Sequence, residues 1–460
     1  MANNREYIAI HTSRFIEELI EFLRIPSIST LPEHTVDIKK AANFVKDRLL
    51  AAGVDKAWLI ETTGHPLVYG EKIVHPQLPT VLVYGHYDVQ PADPYELWES
   101  EPFEPVIKDN KIFARGAADD KGQVYIHVKA LETMVATQSL SCNVKFLIEG
   151  EEEKGSEGLT AFLENPYNHD LIQADAILVS DTTILSIDQP SLTTGLRGII
   201  YFEVTLTGPN RDLHSGVYGG AVGNPINILC KMLATLHDEN RHITIPGFYD
   251  KVPNLTDAER TELNKVPFDL LCYQQSIGID EVIGEEGYTT LERVGIRPSL
   301  DIHGIWGGYI GKGAKTVLPD QAHAKLSMRL VPNQDANEVA EAFTKYFSSL
   351  APKGTKIQIK LEHGGCNAIV LSQDSTAFQA AQNAFETVWG KRPLATREGG
   401  SIPIIAKFRE KLGCDIILMG FSLDSDAIHS PNEHFSLTAF SKGISTVISF
   451  YENLAKLSKG

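Results

Sequence analysis

Apolar residues occur at helical spacing, or in short continuous runs, through most of the first 190 residues. The helical spacing predicts helices over residues 12–23, 38–50, 123–134 and 159–163. The continuous runs predict buried strands over residues 80–84, 143–148 and 174–179. Strands that alternate with helices are typical of the α/β class, so we expect a mainly parallel sheet flanked by helices.

The pattern changes after Pro190, where strand-like and helical segments no longer alternate regularly. It predicts one or two strands over 191–206, a helix over 224–236, a strand over 322–331 and a helix over 337–350, with weak periodicity over 246–311. A chain of 460 residues is long for a single domain. We therefore predict an inserted α+β domain, residues 191–365, within a domain formed by residues 1–190 and 366–460.

Charge and composition narrow the classes of partner. The net charge of −17 argues against nucleic acid and anionic membranes, because phosphate groups would be repelled. It is compatible with a cation-binding site, but a generally acidic surface is the simpler and favoured explanation of the net charge. Five cysteines without paired spacing suit reduced thiols, and the polar first ten residues do not resemble a signal peptide. No apolar run reaches the roughly 18–20 residues of a spanning helix. We expect a cytoplasmic protein.

Acidic and histidine side chains follow the predicted strands at the point where each strand ends. His86 follows the first strand, Glu152 and Glu153 the second, and Asp181 the third. Ligands bind beyond the carboxyl ends of strands in such sheets, so these four positions should converge. Imidazole and carboxylate groups are ligands for zinc and manganese. A two-metal centre also needs a bridging carboxylate and a base for the attacking water, and this chain can supply both.

Each of these segments also has a simpler interpretation. His86 could be a loop histidine near a surface acid, and the Asp119–Asp120 pair at a helix start could be an N-cap. Residues 151–153 could form a solvated acidic loop, although three adjacent carboxylates near a core strand repel one another without cations. The sequence does not distinguish a base from a ligand among these glutamates. Residues 212–216 are predicted to form an ordinary polar turn. Residues 398–403 offer main-chain N–H groups of the kind that hold a carboxylate, although a plain loop is the simpler interpretation. Glycine-rich nucleotide loops and the Gly-x-Ser-x-Gly motif of serine hydrolases are absent.

Taken together, the chain resembles the carnosinase-type metallodipeptidases of the superfamily that includes aminoacylases, desuccinylases and carboxypeptidase G enzymes. The likeness covers nearly the whole chain and keeps the order of its motifs. The matching segments are GHYDVQP (85–91), ARGAADDKGQ (114–123), EGEEEKGSEGL (149–159), SD (180–181), GLRG (195–198), DLHSGVYGG (212–220), GAKTVLP (313–319), RLVPN (329–333), HGG (363–365), GGSIP (399–403) and HSPNE (429–433).

The resemblance implies a role for each matching residue. Two divalent metal ions, zinc or manganese, would be held by His86 and Asp181 on one side and by Glu153 and His429 on the other. Asp119 would bridge them, through a cis peptide bond to Asp120. The remaining roles concern orientation, catalysis and substrate: Asp88 orients His86, Glu152 is the general base, His214 polarises the scissile carbonyl from a partner subunit, and Thr316, Arg329, His363, Gly400 and Ser401 hold the substrate's main chain and carboxylate.

The function that follows is hydrolysis of dipeptides by a metal-bridging water that Glu152 activates. The inserted domain would serve as lid and as the interface of a homodimer. One alternative is an N-acyl amino acid amidohydrolase or desuccinylase. A further alternative is a catalytically inactive homologue that only binds metal, although the intact Glu152 argues against it.

Overall fold

The structure, a computed structural model, describes residues 3–458 apart from the side chains at positions 262, 363 and 364. The strands are β1 (Lys56–Ile60), β2 (Leu67–Lys72), β3 (Thr80–His86), β4 (Val106–Lys108), β5 (Lys111–Phe113), β6 (Asn143–Glu149), β7 (Ala176–Val179), β8 (Thr183–Ile184), β9 (Ser191–Leu196), β10 (Gly198–Thr207), β11 (Leu213–His214), β12 (Ser299–Gly307), β13 (Val317–Leu318), β14 (Gln321–Leu330), β15 (Lys356–Cys366), β16 (Ile369–Val370), β17 (Leu394–Glu398), β18 (Asp415–Leu418), β19 (Ser422–Leu423) and β20 (His434–Ser436).

The α-helices are α1 (Asn4–Leu23), α2 (Thr35–Ala52), α3 (Lys121–Ala136), α4 (Glu157–Glu164), α5 (His169–Ile172), α6 (Ser215–Tyr218), α7 (Pro225–Ala234), α8 (Asp257–Leu263), α9 (Leu270–Ile277), α10 (Thr290–Gly295), α11 (Ala336–Ser349), α12 (Thr376–Trp389), α13 (Pro403–Leu412) and α14 (Leu437–Leu457). Among the described residues, none of these helices has the length and apolar character needed to cross a bilayer.

The chain divides into two compact units. The first contains the described residues up to 194 together with 371–396 and those from 407 onward. The second contains residues 195–370 and the short segment 397–406. The second unit is thus an insertion into the first, and the C-terminal part of the chain completes the first unit.

A mixed sheet in the order β1-β2-β6-β3-β7-β18-β9 forms the centre of the first unit. Its four middle strands, β6, β3, β7 and β18, are parallel, whereas β1, β2 and β9 pair in antiparallel fashion. Parallel strands need long crossovers, and helices such as α3 and α4 lie in these connections. The carboxyl ends of β3, β6 and β7 therefore lie at one edge of the sheet.

Alternate residues of β3 point to opposite faces of this sheet. Val81 and Val83 belong to the core that α1, α2, α3, α12 and α14 share. Tyr84 points the other way, and its ring meets Phe408 edge-on with the ring centroids 5.3 Å apart. Both faces are thus covered, which explains the continuous apolar run in β3.

The second unit contains an antiparallel sheet in the order β12-β14-β10-β15. Along β10 buried and half-buried residues alternate, as expected for a sheet with one covered face. Ile200, Phe202 and Val204 are buried in the core to which α7 and α11 contribute. A separate two-stranded pairing joins β11 to β13.

The predicted α/β class is confirmed, with the parallel arrangement confined to the middle of the sheet. The apolar stretch 191–206 forms two strands, β9 and β10. The stretch 246–311, which shows little periodicity, contains three short helices and β12. The helices α8 and α9 are largely exposed, so no buried stripe marks them in the sequence, and α10 is only six residues long.

Candidate metal centre

His86 ends strand β3 and is fully buried. Its Nδ1 lies 3.1 Å from the main-chain oxygen of Asp88, which can only accept a hydrogen bond, so Nδ1 carries the proton. Its Nε2 lies 3.0 Å from Oδ1 of Asp119 and 4.0 Å from Oδ1 of Asp181. The second ring nitrogen of His86 therefore faces two carboxylates.

A second group of ligand atoms meets on the other oxygen of Asp119. Nε2 of His429 lies 3.0 Å from Oδ2 of Asp119 and 3.2 Å from Oε2 of Glu153. The two groups, His86–Asp119–Asp181 and Asp119–Glu153–His429, each gather their ligand atoms within 4.8 Å of one another. They share Asp119, which offers one carboxylate oxygen to each.

The turn after β6 places Glu152 and Glu153 in different positions. The main-chain N–H groups of Glu152 and Glu153 donate to the Asp88 carboxylate at 3.3 and 3.1 Å. Glu153 then receives a hydrogen bond from Nε2 of Gln90 at 2.8 Å. Glu152 belongs to neither ligand group. Asp88 thus holds the whole turn, and it contacts His86 mainly through its carbonyl.

The main chain around Asp119 is held by the side chain of Glu433. Glu433, fully buried, accepts hydrogen bonds from the N–H groups of Ala118 and Asp119 at 2.9 and 3.2 Å. The Asp119–Asp120 peptide bond is cis, as predicted. Asp120 stands at the N-cap of α3 but makes no capping bond with its side chain. Its Oδ2 instead accepts from the main-chain N–H of His86 at 3.2 Å, so the capping interpretation is wrong.

The pKa values reflect an excess of buried negative charge. Burial, together with neighbouring carboxylates, raises the pKa of Glu152 and of Asp181 well above the usual range. Hydrogen bonds to Asp119 and Glu153 raise the pKa of His429 to about 10. Although burial alone would lower the pKa of His86, its contacts with Asp119 and Asp88 raise it well above the usual range.

In the second unit, His214 and Thr316 come together through the β11–β13 pairing. His214 pairs with Val317 in register, and the N–H of Ser215 donates to the carbonyl of Thr316 at 3.1 Å. Both His214 and Thr316 are exposed. Nδ1 of His214 accepts from the N–H of Gly216 at 2.9 Å, which leaves the proton of the neutral ring on Nε2. His214 thus presents a hydrogen-bond donor to its surroundings.

Arg329 and Ser401, also in the second unit, are in direct contact. Nη1 of Arg329 donates to Oγ of Ser401 at 2.8 Å, and the Ser401 hydroxyl donates to the carbonyl of Arg197. The N–H of Arg197 donates to the carbonyl of Gly400 at 3.1 Å. His363, predicted beside them, lies outside the residues whose side chains the structure describes.

Comparison with known proteins places this geometry in a family. The profile of Peptidase family M20/M25/M40 matches residues 82–453. The chain belongs to this family. It is 34% identical to the Cys-Gly metallodipeptidase dug1 of Schizosaccharomyces pombe, over 98% of either chain.

Two solved structures of the M20 type are also similar. Human carnosine dipeptidase 1 is 31% identical with a TM-score of 0.87, covering 98% of both chains. A family M20 metallo-carboxypeptidase from Sulfolobus solfataricus is 33% identical with a TM-score of 0.88, covering 96% of this chain and 99% of that one.

The side chains of this M20 member fit a pair of metal ions. Each oxygen of the Asp119 carboxylate lies 3.0 Å from an imidazole nitrogen, Oδ1 from Nε2 of His86 and Oδ2 from Nε2 of His429, so both groups combine the nitrogen and oxygen donors that zinc and manganese accept. Oε1 of Glu153 is buried and, among the described residues, has no hydrogen-bond partner. Buried carboxylates with raised pKa values need positive charge nearby, which divalent cations supply.

Two supporting residues have no role in our sequence analysis. Gln90 and Glu433 lie within the segments GHYDVQP and HSPNE, and each contacts a candidate ligand. Each lies four residues after a predicted ligand, His86 or His429, and this closeness in sequence could have indicated a supporting role. Outer partners of metal ligands commonly orient them, so both residues belong to the centre.

Proposed function

We propose that this M20 family member hydrolyses dipeptides at a centre of two divalent metal ions. The observation that carries the proposal is the pair of ligand groups that share Asp119. Glu152 precedes Glu153 in the same short turn and belongs to neither group. Its full-length similarity to metallodipeptidases supports the same reaction. Two-metal centres of this kind serve hydrolysis of amide and phosphate bonds.

His86 and Asp181 would hold one metal ion, Glu153 and His429 the other, and Asp119 would bridge them. The bound pair supplies a strong Lewis acid and lowers the pKa of water towards about 7. Imidazole nitrogen favours zinc, while the majority of carboxylate ligands also suits manganese. We propose zinc, with manganese as the second candidate.

Glu152 would act as the general base. Its side chain takes the proton of the attacking water and returns it to the leaving amine. Its exclusion from both ligand groups supports this assignment, as does the hydrogen bond from its main-chain N–H to Asp88. That bond positions the residue without engaging its carboxylate. Asp88 is thus a positioning residue for both His86 and the Glu152 turn.

His214 would polarise the scissile carbonyl from the partner subunit of a homodimer. Its Nε2 proton suits donation to a developing oxyanion, and its neighbour Thr316 would contact the substrate. Strand β12 is an edge of its sheet and exposes Ile302, Ile305 and Trp306. Unpaired edge strands with exposed apolar side chains are typical association surfaces. These features support dimerisation through the inserted unit, residues 191–365.

Arg329, together with Ser401 and the Gly400 main chain, would hold the C-terminal carboxylate of the substrate, with His363 nearby. Arg329 forms no ion pair with any described residue, so its charge is available. Arginine binds carboxylates through two parallel hydrogen bonds. We propose that a substrate anchored in this way has one residue beyond the scissile bond.

The chain is also similar to a metallo-carboxypeptidase, so the main alternative is an enzyme that cleaves longer peptides. An N-acyl amino acid amidohydrolase and an inactive metal-binding homologue are the others. The free state of all five cysteines supports the proposal of a cytoplasmic location.

The test is a substrate panel on protein that has been stripped of metal and refilled with zinc or manganese. We expect dipeptides to be hydrolysed, tetrapeptides and N-acetyl amino acids hardly at all, and the chelated protein to be inactive until refilled. Efficient tetrapeptide cleavage would instead favour a carboxypeptidase. Binding of two metals without turnover of any substrate would favour the inactive homologue.

A further inference from the structure

The second unit contains a cavity of about 380 Å³ whose lining includes none of the candidate metal ligands. Its volume falls in the range of small-molecule sites. Its lining is cationic, although the chain as a whole carries a net charge of −17. Four arginines and two carboxylates provide the charges of the lining: Arg197, Arg241, Arg293, Arg297, Glu285 and Asp301.

One carboxylate is already engaged, which leaves positive charge in the cavity. Glu285 accepts two hydrogen bonds from the buried guanidinium of Arg297, one of them at 2.7 Å. The Nε–H group of Arg293 donates a hydrogen bond to the main-chain oxygen of Glu285 at 2.8 Å. No carboxylate among the described residues forms an ion pair with Arg241 or Arg293. These two guanidinium groups can therefore bind an anion from outside the chain.

The cavity begins beside the residues proposed to hold the substrate's carboxylate. Ser299 lines the cavity and stands opposite Arg329 in the register of β12 and β14. Residues directly opposite in antiparallel strands have their Cβ atoms about 4.5–5.5 Å apart and on the same face. A ligand held by Arg329 is therefore next to the cavity.

Arg197 provides a second connection between the cavity and the residues proposed to hold the substrate's carboxylate. Its side chain lines the cavity and donates to the carbonyl of Gly399 at 2.9 Å. Its own carbonyl accepts the hydroxyl proton of Ser401, which also contacts Arg329. The segment around Ser401 is thus built onto one wall of the cavity.

We infer that this cavity receives the side chain of the substrate's C-terminal residue and selects dipeptides in which that residue is acidic. The inference rests on the proposed capture of the C-terminal carboxylate by Arg329. Glutamate and aspartate extend a second carboxylate from the captured residue, and Arg241 and Arg293 offer donors for it. Hydrogen bonds to charged groups are stronger than neutral ones, so the amides of the same shape bind less well.

The test compares kcat/KM for Ala-Glu with that for Ala-Gln, with Ala-Ala as the neutral reference. We expect Ala-Glu to exceed Ala-Gln about tenfold, the effect of one charge-assisted contact. The variant R241Q/R293Q should bring this ratio close to one and leave Ala-Ala hydrolysis unchanged. Arg241 makes no side-chain hydrogen bond among the described residues, so R241Q alone is a variant that should fold normally. R392Q, at an exposed arginine of the first unit, is the matched control and should keep the wild-type ratio.

A ratio of one or less in the wild type, with Ala-Ala cleaved, overturns the inference but not the dipeptidase function. A ratio that persists in R241Q/R293Q also overturns it. If no dipeptide is cleaved, calorimetry with L-glutamate and L-glutamine still decides the matter. Tighter binding of L-glutamate that is lost in R241Q/R293Q supports the cavity, and equal binding of the two amino acids refutes it.

Discussion

The assignment of Glu152 as base and Glu153 as ligand leads to a test in which two adjacent, chemically identical residues respond differently. Replacing Glu152 by glutamine keeps the shape of the side chain and removes only its ability to accept a proton. The main-chain N–H of Glu152 is held by Asp88 at 3.3 Å, and this bond does not involve the substituted group. We therefore expect E152Q to fold normally and to bind two metals per chain.

The expected loss in kcat follows from the role. General-base catalysis contributes about 10²–10⁴ in rate, which corresponds to about 3–5 kcal/mol of activation free energy. E153Q is the matched control, because Oε2 of Glu153 lies 3.2 Å from Nε2 of His429 in the second ligand group. It should lose one metal and regain part of its activity at high metal concentration, whereas E152Q should not respond.

Metal content is measured by inductively coupled plasma mass spectrometry after gel filtration, and kcat on a neutral dipeptide at saturating metal. Thermal unfolding of both variants checks that they are folded. An E152Q protein that binds one metal fewer, beside an E153Q protein that keeps both, would refute the reasoning and exchange the two roles. A loss in kcat of less than about tenfold for E152Q would show that another group takes the proton.

Three further predictions concern other parts of the chain. H214A and E152Q chains should each be nearly inactive, and mixed dimers should recover activity at one site; no recovery after verified subunit mixing would place His214 in its own chain's site. R329K should reduce hydrolysis of free dipeptides far more than that of C-terminally amidated ones, and equal cleavage of both forms by the wild type would contradict carboxylate capture. The pKa of Glu18 is lowered to about 2 from 4.5, because hydrogen bonds from Lys129 and Tyr125 outweigh the opposing effect of burial. Its stabilisation is therefore complete above about pH 4.5 and is lost as the pH falls through about 2; E18Q should cost about 1.5–3 kcal/mol at pH 7 and flatten this part of the acid-unfolding curve followed by circular dichroism.

Most helices and strands of the first unit can be predicted from the apolar pattern, because each is packed against a continuous core. The predicted helix over 123–134 is α3, and the predicted strand over 143–148 is β6. The same pattern does not reveal that β2 runs antiparallel to β6 at one side of the sheet. Periodicity reports which side of an element is buried, but the direction of pairing depends on connections between distant segments.

The chemistry of the candidate metal centre follows from residue types and from the positions of strand ends. His86 and Asp181 could be expected near one another, because parallel strands end at a common edge. The distinction between Glu152 and Glu153 could not, because adjacent residues in a turn differ in direction only once the turn is folded. His429 comes from a separate part of the chain, and only the tertiary structure brings its Nε2 within 3.0 Å of Asp119.

The arginine-lined cavity is the clearest feature that only the tertiary structure reveals. Arg197, Arg241 and Arg293 lie in separate segments, and nothing in their local sequence relates them. Like charges repel, so arginines come together only where the folded chain holds them, and hydrogen bonds to main-chain carbonyls hold Arg197 and Arg293. The amino-acid sequence by itself indicates the candidate ligands and the order of the helices and strands. Which charged side chains lie close together is decided only by the tertiary structure, because the folded core brings together segments that are distant along the chain.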